Sequence, residues 1–264
     1  MIINLNTNDF KNALEKIMVK GKYITTKGYS SGNAGENAVL FVENVEDNKL
    51  VLMNGDATLI VRYEIQDIEL NGANHEPIVF VIKDALDFVK NFKEDTMNIT
   101  LVNSQLQLRC GSKIVNLPTS QLTTSSGLDT IFGMKNNILN YQFIEVLNEE
   151  TPYPQFMKKS FESAFSINNS KFTECLKSCE LIGSGLFKLD VNSGVSISSS
   201  TTLKNYTESL DSINKGESTI VFTGPLYSFF DKGQELNIYS KDDFPILIVA
   251  EDRLLIRAPR TDGD

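Results

Sequence analysis

The chain has 264 residues, 41% of them apolar and 22% charged, with a formal net charge of −9 at pH 7. That composition belongs to a soluble globular protein with enough chain for one large domain or two of about 130 residues; no apolar run spans a bilayer, and the charge excludes a surface that coats nucleic acid everywhere while leaving room for a basic stripe. The first residues lack the layout of a signal peptide, and the three cysteines, Cys110, Cys175 and Cys179, have no metal-ligand spacing, so reduced thiols in an intracellular protein are expected.

From Asn8 to Gly21, the residues Phe10, Ala13, Leu14, Ile17, Met18 and Gly21 recur at intervals of three and four, which predicts an amphipathic helix. Its polar face carries Asn12, Glu15 and Lys16, with Lys11 and Lys20 on the flanks. The stretch AVLFVENVEDNKLVLMNGDATLIVRYEI then reads as three strands, the last opened by Thr58-Leu59. In PIVFVIKDALDFVKNFKEDTMNITLV a strand leads to a short helix with Lys83, Lys90 and Lys93, and then to another strand. SQLQLRCGSKIVNLPTS closes the series as a hairpin that stops at Leu117-Pro118.

About forty residues rich in Ser, Thr, Asn and Pro follow, which read as a crossing between domains. Beyond them the plan recurs. Ser170 to Gly183 overlays the first helix without a gap, Phe172 on Phe10, Leu176 on Leu14 and Gly183 on Gly21, with Cys175 and Cys179 as core filling and Leu181 as a departure on the polar side. GLFKLDVNSGVSISSSTTLKNYTESL repeats the strands, with Thr202-Leu203 in the place of Thr58-Leu59. STIVFTGPLYSFFDKGQELNIYS repeats strand, short helix and strand, with Lys232 after the helix. The last hairpin, DDFPILIVAEDRLLIRAPR, stops at Ala258-Pro259. The expected organisation is a duplication with a period near 145 residues: domain 1 over residues 1–124, a linker region over 125–154 and domain 2 over 155–264.

Little in the chain supports catalysis. Its one histidine, His75, sits in a turn-like NGANHEP, and there is no nucleophile elbow, phosphate-binding glycine loop or His/Cys cluster. A hairpin turn accounts for Asp242-Asp243 better than a metal does. No enzyme activity, cofactor or metal is expected. If each domain sets its two helices on the same side of its sheets, the lysines share one surface, as mobile contact with a phosphate backbone requires.

The duplicated helix-sheet plan, FTECLKSCELIGSGLFKLDVNSGVSIS, PLYSFFDKG and the final DDFPILIVAEDRLLIRAPR resemble DNA sliding clamps of the proliferating cell nuclear antigen type, and the length is similar to the clamps of T-even phages. The resemblance covers nearly all of the chain except the linker. It implies an α+β, duplicated DNA-clamp fold, with two similar domains that each pack two helices on antiparallel sheets and assemble into a ring, a homotrimer for a chain of this length. The implied function is that of a DNA polymerase processivity factor, which encircles duplex DNA without sequence preference. Its implied partners are a polymerase, other proteins with clamp-binding motifs and an ATP-driven clamp loader.

Family basic positions match Lys11, Lys90, Lys177 and Lys232, whereas Asn12 and Glu174 stand at two others; Lys16, Lys20, Lys93 and Lys171 are added from helix geometry. The partner-peptide pocket is expected at Pro245, Ile256, Ala258 and Pro259, with Leu40 and the linker residues Leu128, Ile131 and Phe132 beside it. Ring closure would pair an edge around Ser112 to Leu117 (Lys113, Ile114, Val115) with one around Leu203 to Leu210 (Leu203, Asn205, Tyr206) of a neighbour. Two other readings stay open: a processivity subunit of the same fold that closes no ring, and a β-rich structural or interaction protein that binds no DNA.

Overall fold

The structure is a computed structural model that describes residues 1–18, 37–44, 48–55, 58–72, 76–102, 104–121, 138–139, 153–224 and 226–260. By its contacts the chain divides into two compact units, Met1–Asp56 with Ile60–Phe132, and Ala57–Leu59 with Gly133–Asp264.

Unit 1 runs β1 (Ile2–Asn6), α1 (Thr7–Ile17), β2 (Asn37–Asn44), β3 (Asn48–Gly55), β4 (Leu59–Ile65), β5 (Glu69–Asn71), β6 (Ile78–Val81), α2 (Ile82–Val89), β7 (Thr96–Val102), β8 (Gln105–Cys110), β9 (Lys113–Pro118) and β10 (Ser120–Gln121). Its strands lie in the orders β5-β1-β7-β8-β9 and β10-β6-β2-β3-β4, all antiparallel.

Unit 2 opens on a small sheet of β11 (Ile138–Leu139), β12 (Gln155–Phe156) and β13 (Lys159–Ser160). It continues with β14 (Ser163–Asn168), α3 (Asn169–Glu180), β15 (Leu186–Val191), β16 (Val195–Ser200), β17 (Asn205–Leu210), β18 (Asn214–Gly216) and β19 (Ser218–Thr223). A 3-10 turn (Leu226–Phe229) then leads to β20 (Glu235–Ser240), β21 (Ile246–Ala250) and β22 (Arg253–Arg257). Its orders are β18-β14-β20-β21-β22 and β17-β16-β15-β19. Every element from β1 to β9 has a counterpart, in sequence and in pairing, from β14 to β22.

The repetition reaches single bonds. Asn6 and Asn168 each end a strand and cap the following helix, with φ of −69° in both and ψ of 132° and 133°. Asn6 Oδ1 accepts from the backbone N–H of Asn8 at 2.8 Å, and Asn168 Oδ1 from that of Ser170 at 3.0 Å. Short polar side chains favour this position because they satisfy an N–H that the helix itself leaves open. The next N–H, of Thr7 or Asn169, donates to the residue before β7 or β20, Asp95 O or Gln234 O, at 2.8 Å in each case.

The offset between the copies is not constant. Asn168 stands 162 positions after Asn6, whereas Glu235, opposite Asn168, stands only 139 after Thr96, opposite Asn6. The single period near 145 is therefore an average, because more chain separates α1 from β2 than α3 from β15.

The apolar faces are those that the helical spacing predicts: Phe10, Ala13, Leu14 and Ile17 in α1 and Phe172, Cys175, Leu176 and Cys179 in α3 are buried. Both helices end sooner than the pattern does. Asn54 Nδ2, buried, donates to Ile17 O at 2.8 Å and Met18 turns extended. Beyond α3, the Gly183 N–H donates to Glu180 O at 3.1 Å, and Gly183 itself has φ 82°, a left-handed conformation natural to glycine after a helix. In unit 2 the second short helix is a single 3-10 turn, so this unit has one α-helix among its described residues rather than two.

Residues 155–160 form a hairpin that the sequence does not announce. Gln155 pairs with Ser160 and Phe156 with Lys159, which leaves Met157 and Lys158 as a two-residue loop with φ of 50° and 64°. Such loops favour Asn-Gly, because both central residues are left-handed; Met and Lys there cost roughly 1 kcal/mol or more each. Phe156 and Phe161 hold the hairpin against Phe244, with ring centroids 6.1 and 5.4 Å away.

Two outcomes test these features by chemical unfolding. Asn6→Ala and Asn168→Ala should each lower stability by about 1 kcal/mol through loss of the cap. Replacing Met157-Lys158 by Asn-Gly should raise it by about 1 kcal/mol.

Candidate functional site

The expected nucleic-acid contacts lie on helices α1, α2 and α3 and just beyond them. In unit 1, α1 turns its apolar stripe to the core and leaves Lys11 and Lys16 half-buried, and Lys90 and Lys93 are exposed after α2. Lys20 lies outside the described residues. In unit 2, Lys171 and Lys177 on α3 and Lys232 after the 3-10 turn are exposed.

Two of these cations, Lys171 and Lys177, have anionic or aromatic company. The Lys171 ammonium bonds a Glu208 carboxylate oxygen and lies 3.5 Å from Glu174 Oε2. Glu208 also accepts from the Tyr206 hydroxyl, so its carboxyl is pulled down to about 2, chiefly by Lys171 and then by Tyr206. Lys177 lies over the Tyr227 ring, 5.6 Å from its centroid, and the Tyr227 hydroxyl donates to Glu180 at 3.1 Å. On α2, Lys83 bonds Asp87 at 2.9 Å, which holds that carboxyl below its ordinary value. The ammonium groups of Lys11, Lys93 and Lys232 form no hydrogen bond or ion pair among the described residues.

The charges along each helix balance or nearly so. Asp9, Lys11, Glu15 and Lys16 occupy α1; Lys83, Asp84 and Asp87 occupy α2; Lys171, Glu174, Lys177 and Glu180 occupy α3. The lysines are therefore interspersed with acids rather than drawn into a uniformly basic stripe, and Glu208, reaching α3 from a strand 37 positions further on, is a participant that the sequence pattern did not name.

The expected chain-closing strands differ sharply from their counterparts. At equivalent places in the repeats, β4 and β22 are buried along nearly their whole length, whereas β9 and β17 are mostly exposed. Both exposed strands end their sheets, β9 in unit 1 and β17 in unit 2. On β9, Lys113 and Ile114 are exposed, Ile114 to 54%, and Val115 is half-buried. Beside β17, Leu203 is 92% exposed, and on the strand Asn205 is exposed and Tyr206 half-buried. Two open edges with apolar side chains are a liability that association removes.

Of the expected peptide-pocket residues, Leu40 is buried in unit 1. In unit 2, Ile256 is buried on β22, and Pro245, Ala258 and Pro259 are half-buried around the closing hairpin. Leu128, Ile131 and Phe132 lie outside the described residues. The three cysteines are free and buried. Burial pushes the Cys175 thiol up to about 12, with Glu208 adding to the effect, and that of Cys179 up to about 11. Among the described residues no His, Cys, Asp or Glu group is arranged to hold a metal, and no helix is long and apolar enough to cross a membrane.

No protein-family model and no curated protein matches the sequence. Solved structures do match it in fold. The DNA polymerase III subunit beta from Pseudomonas aeruginosa superposes with a TM-score of 0.68 at 17% identity, over 100% of this chain and 66% of that one. A putative DNA polymerase III beta subunit from Eubacterium rectale gives 0.71 at 12%, over 99% and 66%. The PCNA of A. fulgidus, bound to the C-terminal region of FEN-1, gives 0.68 at 13%, over 100% of both chains. The chain thus spans about two thirds of the bacterial subunits and the whole of the archaeal one, and it has the sliding-clamp fold.

Two measurements check the site chemistry. A carboxyl held below its unfolded value stabilises the fold above that value and loses the effect as pH falls, so Glu208 should contribute from near 4.5 upward and progressively less toward about 2. Glu208→Gln should flatten the fall in stability across that window relative to the parent. The thiols of the folded chain should stay silent to Ellman's reagent at pH 8 and react on unfolding.

Proposed function

We propose that the chain is a DNA polymerase processivity factor that closes head-to-tail into a trimeric ring around duplex DNA and tethers a polymerase and other replication proteins to it. The observation that carries this reading is the pair of exposed sheet edges, β9 in the first repeat and β17 in the second, whose counterparts β22 and β4 are buried. A chain with one such edge in each of two equivalent units has two complementary ends. Repetition of that contact makes a ring when the rotation closes and a filament when it does not. The similarity to a clamp of the same length favours closure.

The function is then topological rather than chemical. A ring needs no tight grip on DNA, because enclosure prevents escape, and tethering raises the local concentration of whatever it carries. The balanced charge of the described helices suits this division of labour: Lys11, Lys90, Lys93, Lys177 and Lys232 supply weak, sequence-independent phosphate contacts, with Lys16, Lys20 and Lys171 beside them. Partners would dock at the closing hairpin of unit 2, around Pro245, Ile256, Ala258 and Pro259. Loading would fall to a separate ATP-driven machine.

Light scattering across a concentration series should give the mass of three chains, and Ile114→Asp combined with Leu203→Asp should give monomers; a persistent monomer in the parent would overturn the ring. Once loaded, the protein should stay on nicked circular DNA and leave when the circle is cut. Direct binding to linear duplex should be weak, with a salt slope of only a few phosphates per chain. Tight binding to linear DNA, steep in salt, would favour a subunit that clings without closing.

A further inference from the structure

The hairpin of β12 and β13 carries an exposed surface apart from the edge strands β9 and β17. Its loop puts Met157 and Lys158 in left-handed conformations that Asn-Gly would adopt without strain. Strain kept in a surface loop is a pointer to side chains that serve there. Met157 is 54% exposed, and Lys158 and Lys159 are exposed beside it. Lys158 has no hydrogen bond or ion pair among the described residues, and Lys159 is steered by the Phe244 ring, 5.8 Å from its ammonium.

The mount is rigid. Phe156 and Phe161 both pack on Phe244, Gln155 Nε2 donates to Ser160 Oγ at 3.1 Å, and the Phe161 N–H donates to Pro154 O at 3.1 Å. Of the carboxylates around Phe161 and Phe244, Glu162 bonds the Lys241 ammonium and Asp242 accepts the backbone N–H of Thr219 at 2.6 Å, whereas Asp243 is exposed beside Phe244. Two cations and a flexible thioether therefore stand at the tip of a fixed hairpin on a chain of net charge −9.

We propose that Met157, Lys158 and Lys159 form a docking element for an extended acidic segment of a partner protein. Its carboxylates meet Lys158 and Lys159, and an apolar side chain lies on Met157. Charge complementarity selects an acidic ligand, and the methionine selects a protein over a phosphate backbone, because an adaptable thioether suits apolar side chains of varied shape. The element adjoins Phe244, the residue before Pro245 of the closing hairpin, and it works whether or not the chain closes a ring.

Fluorescence anisotropy with the full chain tests this directly. The probes are a short labelled peptide with glutamates around a central Leu-Phe, the same peptide with glutamines, and a short labelled DNA duplex. The acidic peptide should bind and the glutamine peptide should bind roughly tenfold more weakly. Lys158→Glu with Lys159→Glu should abolish the preference. Met157→Asn with Lys158→Gly should weaken peptide binding while raising thermal stability, a divergence that a purely structural hairpin would not produce. Absence of binding at millimolar acidic peptide, equal binding of the two peptides, unchanged binding by the variants, or a loss confined to duplex binding would each overturn the proposal.

Discussion

In both units the fold turns on the junction where a strand becomes the first helix. Asn6 or Asn168 closes the helix end with its own carboxamide, while the following N–H reaches across to the residue before β7 or β20. One short stretch thereby fixes the helix start, the register of the neighbouring strand and the direction in which Phe10 or Phe172 enters the core. The pairings β1 with β7 and β14 with β20 meet at the same place, Asn6 opposite Thr96 and Asn168 opposite Glu235. A side chain unable to accept there would leave a helix N–H open and loosen the registration of two strands together.

Given that junction, the sheets follow in the same order in each unit, and the two copies diverge where they face different surroundings. The strands β22 and β4 are buried along nearly their whole length, Arg62, Arg253 and Arg257 included, whereas β9 and β17 mix Lys, Asn, Thr, Ser and Glu with a few apolar side chains and are largely exposed. The helices keep their apolar stripes but vary outside them: α1 and α3 both alternate acid and base, and α3 adds the Glu208 and Tyr206 contacts from β17. An edge strand is thus coupled to the helix surface by one carboxylate.

Much of the fold was legible. The helix faces, the three-strand runs and both closing hairpins appear in apolar spacing, since periods near 3.6 and 2 are imposed by local geometry and survive in any burial environment. The terminal hairpins illustrate it: Cys110 opposite Lys113 and Ala250 opposite Arg253 each leave the two-residue turn that the polar breaks mark. The helix ends were not legible, because a buried Asn54 from another strand stops α1. Nor was the hairpin at 155–160, whose turn uses Met and Lys where the readable signals are Gly and Asn.

The candidate site divides in the same way. The sequence by itself determined which residues are lysines on helical surfaces and where the duplicated strands lie. Tertiary structure decided that Lys171 is shared between Glu174 and Glu208, that Lys177 rests over Tyr227, and that β9 and β17 rather than their counterparts are the exposed edges. Period and propensity are properties of neighbours along the chain, whereas the partner of a charge or the cover of a strand is set by residues that only folding brings near.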